Sequence, residues 1–71
     1  MRVMYDWRAG GWTGTAGDLR LAQERAEARL PPGGTAVVER VLVSCGHSSG
    51  LGASWTGARG QGGMVMWARD R

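Results

Sequence analysis

Residues 15–34, TAGDLRLAQERAEARLPPGG, decide the fold. At 100° per residue, Leu19, Ala22, Ala26 and Leu30 fall on one narrow stripe, while Arg20, Glu24, Arg25, Glu27 and Arg29 fill most of the remainder. The spacing predicts an amphipathic helix over 16–30 whose small alanines let it sit close to a sheet. Its start is marked by Thr15-Ala16-Gly17-Asp18, which fits a capping box with Thr15 as the cap. Asp is shorter than the usual Glu, so Asp18 is the alternative cap. Pro31-Pro32-Gly33-Gly34 stops the helix, because proline has no amide to donate and clashes with the preceding turn.

Working outward, Arg2 to Arg8 alternates Val3, Tyr5 and Trp7 against Arg2, Met4, Asp6 and Arg8, the period of a strand, and Ala9-Gly10-Gly11 ends it. A second strand is expected over 35–45, with Val41-Leu42-Val43 apolar on both faces as in a central strand. Gly46 to Gly52 reads as loop. A weak strand is expected over 53–56 and a last one over 64–69, with Gly57 to Gly63 as the turn between them. The fold class is therefore α+β: a single small domain spanning 1–71, in the order β-α-β-β-β. One helix packs on a three- to four-stranded, mostly antiparallel sheet. Because one helix covers one sheet face, the apolar residues on the other face are expected to need a partner or a second copy.

Composition points the same way. A chain of 71 residues buries only about 60% of its unfolded surface. Val, Leu, Met, Trp and Tyr together supply 20 bulky side chains, with no Ile or Phe, and 13 glycines raise the entropy lost on folding. Small cores of this kind are commonly reinforced by disulfides, metal or association. Cys45 is the single cysteine, so no internal disulfide can form, and association is what the composition leaves open. The net charge is +3, carried entirely by Arg. Acids and arginines alternate through the middle of the chain, so no basic run marks a nucleic-acid footprint. Asp6, Arg8 and Gly10-Gly11 interrupt the N-terminal segment before it can form an apolar signal core, and no stretch approaches the length of a membrane span; a cytoplasmic location is expected.

Three motifs invite a catalytic or metal reading. Gly46-His47-Ser48-Ser49-Gly50 fits G-x-S-x-G and resembles the nucleophile elbow of α/β-hydrolases, which implies a strand-to-helix turn and a downstream acid and His. The glycines at 52, 57, 60, 62 and 63 cannot make that helix, and His47 is the only histidine. Cys45 and His47 amount to half a zinc site at best, since a structural site takes about four ligands. Gly57 to Gly63 has no Lys and no following Ser or Thr, so it is no phosphate loop. No catalytic residue, metal site or cofactor is expected.

Tryptophan carries the remaining signal. Trp7 and Trp67 lie in expected strands and read as core. Trp12 and Trp55 lie beside Gly-rich segments, in a near-repeat, W-T-G-x-x-G, whose copies start at residues 12 and 55. Each either folds back on the core or serves as a binding anchor, a role in which Trp and Arg are favoured. The candidate binding residues are Trp12, Trp55, Arg59 and Gln61. The function expected is that of a small non-enzymatic interaction protein, an adaptor, inhibitor or subunit that docks to another protein and self-associates. The alternative is a small nucleic-acid-binding protein using the loop from Trp55 to Gln61, with Trp55 stacking and Arg59 on phosphate.

Overall fold

The computed structural model describes residues 1–71. The chain runs β1 (Arg2–Ala9), β2 (Trp12–Ala16), α1 (Leu19–Arg29), β3 (Thr35–Ser44), β4 (His47–Arg59) and β5 (Val65–Arg69). All five strands join one sheet in the order β2-β1-β3-β4-β5, every neighbour antiparallel, and α1 lies across one face. The α+β class and the single helix on an antiparallel sheet stand as expected from sequence. The order gains a strand, and the sheet has five strands.

The added strand is β2, joined to β1 by a two-residue hairpin at Gly10-Gly11. Both residues have positive φ, 56° and 87°, as a turn matched to the twist of its strands requires, and glycine reaches that region without strain. The helix is shorter than 16–30 because Ala16 is committed to β2, opposite Tyr5. Asp18 is the cap: extended at φ −143°, it accepts the Leu21 amide on Oδ1 at 2.8 Å.

The segment expected as loop over 46–52 is strand. A tight turn at Cys45-Gly46 sends the chain straight back, so that Ser44 faces His47 and Val43 faces Ser48. β3 and β4 form one long hairpin, interrupted where the register shifts between Glu39 and Val41; Leu51 and Gly52 fall at that irregularity. The expected weak strand over 53–56 is the middle of this 13-residue β4.

Strand pairing sorts the side chains onto two faces. Beneath α1 lie Trp7 and Ala9 of β1, Ala16 of β2, Ala36 and Val38 of β3, and Ala53 and Trp55 of β4, all buried with Ala22, Ala26 and Leu30 in one cluster. The alanines of the helical stripe are wholly buried. No helix is long and apolar enough to cross a membrane.

The two W-T-G copies share a structural role in their glycines. Gly14 pairs with Trp7, and a Cβ there would come within 2.6 Å of the Trp7 ring. Gly57 pairs with Trp67, and a Cβ there would come within 2.8 Å of that ring. Near each edge of the sheet, a bare backbone position seats the flat face of a Trp from the next strand.

Candidate functional site

The structure does not bring the four sequence-derived candidates together. Trp12 stands on the edge strand β2, while Trp55 and Arg59 belong to β4, with β1 and β3 in between. Trp55 is not a loop anchor. It is opposite Val38, only 8% exposed, with the Tyr5 ring centroid 6.0 Å away and the Arg40 and Arg69 guanidinium carbons 5.7 and 5.5 Å from its own. Its environment is that of a core residue.

Arg59 is likewise tied into the fold. Its Nε donates to the Leu30 carbonyl at 3.0 Å and its Nη2 to the Glu27 carbonyl at 2.6 Å; Nη1 reaches the Gly63 carbonyl. The Glu27 carbonyl also accepts the Leu30 amide at 3.2 Å, so Arg59 is its second donor, and a cation at this end also complements the helix dipole. Beside it, Trp67 Nε1 donates to the Glu27 carboxylate at 3.1 Å. Arg59 therefore fastens α1 to β4 and to the β4–β5 turn, whereas Gln61 is an exposed residue of that turn.

Trp12 alone keeps an open ring. It is 54% exposed, and the Arg29 guanidinium carbon lies 4.1 Å from its ring centroid. Here the lid and anchor readings meet: the ring borders the helix under Arg29, yet the residue as a whole stays exposed.

The G-x-S-x-G motif sits at the β3–β4 turn, with Cys45, His47 and Ser48 all exposed. The chain passes there from strand to antiparallel strand rather than from strand to helix, so it does not form an elbow. Nowhere do three or more His, Cys, Asp or Glu side chains converge in a group that could hold a metal ion.

The sequence anticipates a bare sheet face opposite α1 but does not name the residues that pairing gathers there. Pairing puts Thr15, Asp6, Glu39 and Ser54 in one row across β2, β1, β3 and β4, and Thr13, Arg8, Val37, Thr56 and Ala68 in the next row across all five strands. Part of this face is a shallow concavity of about 440 Å3 lined by Asp6, Arg8, Thr13, Thr15, Val37 and Glu39, with Trp7 and Gly14. Asp6 and Glu39 are direct cross-strand neighbours, an arrangement that like charges disfavour. Neither is in an ion pair; the one ion pair in the chain is Arg20–Glu24 on the helix surface. Toward β5 the face turns apolar, with Val37 43% and Met66 69% exposed beside exposed Ala58 and Ala68.

No family model, curated protein or solved structure matches the chain. Its function has therefore to be argued from these surfaces. The signal that could have revealed the open face was present in Thr35-Ala36-Val37-Val38-Glu39. Small and apolar Ala36 and Val38 alternate there with Thr35, Val37 and Glu39, so Val37 shares its face with polar neighbours.

Proposed function

We propose that the chain is a non-enzymatic interaction protein that docks through the open face of its sheet, with a second copy of itself as the occupant. One observation carries this reading. The face that α1 leaves bare presents exposed Val37 and Met66 beside Asp6, Glu39 and Arg8, none of which has an ion-pair partner within the chain. Apolar side chains without cover favour association. Charges of both signs left unpaired on one face suit a two-fold interface, in which the acids of one copy meet Arg8 of the other.

Size is consistent with this reading. Stable interfaces bury about 800 Å2 on each partner. That is roughly a sixth of the 4723 Å2 accessible surface of the chain, and the molecule measures 41 × 21 × 17 Å. Covering the face would also reinforce a domain whose core holds three large side chains, Trp7, Trp55 and Leu30, among small ones.

Sedimentation equilibrium from low to high micromolar concentration tests the proposal. The expected result is a dimer across the upper part of that range. A monomer throughout, with no binding of an apolar dye, contradicts it.

A further inference from the structure

A second surface lies along the β2 edge toward the helix, and shares Trp7 and Thr13 with the lining of the open-face concavity. Between the edge strand β2 and α1 runs a crevice of about 360 Å3 lined by Trp7, Trp12, Thr13, Arg25, Ala28 and Arg29. Its size falls near the lower end of the roughly 300–1,000 Å3 typical of small-ligand sites. Every polar side chain in that lining can donate a hydrogen bond, and none is a carboxylate.

Two details make these donors usable. Arg29 lies on Trp12 at 4.1 Å and is in no ion pair. A guanidinium held by its face keeps its in-plane N–H groups for another partner. Arg25 gives one bond, from Nη1 to the Thr15 carbonyl at 2.9 Å, which fixes its position on the β2 edge and leaves most of its five N–H groups free.

We infer that this crevice binds a nucleotide, either free or as one unit of a single strand, with its phosphate between Arg25 and Arg29 and its base on the open part of the Trp12 ring. Two guanidinium groups match the spread oxygens of a phosphate. The exposed indole distinguishes a nucleotide from a simple anion or an acidic peptide, because a base can stack on it whatever its sequence. The site is not the Trp55–Gln61 loop, whose tryptophan and arginine are both committed to the fold.

The test is fluorescence anisotropy of the full chain with a labelled single-stranded oligonucleotide at about 50 and 200 mM salt. Unlabelled oligonucleotide, mononucleotide, inorganic phosphate and an acidic peptide serve as competitors, and circular dichroism verifies that each variant is folded. Expected is salt-sensitive binding that Trp12→Ala weakens about five- to 150-fold. Arg29→Gln should weaken it and flatten the salt slope by about 0.7. Arg20→Gln, the same charge change on the same helix outside the crevice, should leave it nearly unaltered. Displacement by mononucleotide would identify the free nucleotide as a sufficient ligand; displacement by oligonucleotide alone would identify the strand. The inference is overturned by absence of binding at the lower salt, by equal losses in Arg20→Gln and Arg29→Gln, or by phosphate or acidic peptide competing as well as either nucleotide form.

Discussion

Removing the Arg59 guanidinium should destabilise the whole domain. Two of its bonds, to the Glu27 and Leu30 carbonyls, are part-buried, and the third, to Gly63, is exposed. A hydrogen bond to a charged group contributes about 1.5–3 kcal/mol. The exposed bond adds little, and water reaching the partly open site replaces some of what is lost at the other two. Arg59→Met should then cost about 2–4 kcal/mol, including a few tenths from the helix dipole. A chain of this length typically has about 4–11 kcal/mol of stability in all. With a urea dependence near 1 kcal/mol per molar for so small a protein, the unfolding midpoint should fall by about 2–4 M at unchanged slope. Arg59→Lys keeps the charge but not the fork, and should lie between wild type and Arg59→Met. Arg20→Gln is the control: its ion pair is 3.4 Å long with side chains 90% and 59% exposed, and such pairs contribute under about 1 kcal/mol. If Arg59→Met unfolds at the same urea concentration as Arg20→Gln, the clamp between α1 and β4 is refuted.

Leu30 is 6% exposed in the main cluster, so Leu30→Ala should cost about 2–5 kcal/mol and lower the melting temperature by at least ~10 °C in a thermal scan. In Gly14→Ala the new methyl meets the Trp7 ring at 2.6 Å, and overpacking of this kind costs about 1–3 kcal/mol; near-ultraviolet dichroism should register the displaced indole. Gly17→Ala, with open space around its Cβ and no positive φ, should instead be neutral or stabilising by up to about 1 kcal/mol in the same melt.

Legibility in the sequence followed local physics. The helical stripe was readable because 3.6-residue periodicity and the Pro31-Pro32 stop act within a few residues of each other. Alternation in β1 was readable for the same reason. β2 was missed although Gly10-Gly11 is a recognised hairpin dipeptide, because Thr15 competed as a helix cap and Gly14 weakened the strand pattern. Gly14 is explained by a residue in another strand, Trp7, so no window on β2 alone discloses it. The same holds for the tryptophans. Trp12 and Trp55 have near-identical neighbours, and what separates them is strand position: β2 is an edge strand, while β4 has β3 on one side and β5 on the other. Arg59 reads as a free loop cation until the fold brings α1's last carbonyls to it across 29 and 32 residues of chain. The open face could be anticipated from one helix covering one side. Its residues could not be named until pairing put Asp6, Glu39, Arg8 and Val37 together.

The central claim is that the open face is where the protein associates, and Val37→Glu tests it most directly. Val37 is 43% exposed, lies on that face and lines its concavity, while its neighbours Ala36 and Val38 point into the core. A carboxylate at this position should leave the fold intact and add a third acid beside Asp6 and Glu39, which a dimer must then bring out of water. Sedimentation velocity at high micromolar concentration should show wild type as a dimer and Val37→Glu as a monomer with the wild-type dichroism spectrum. A folded Val37→Glu that sediments with wild type would contradict the account.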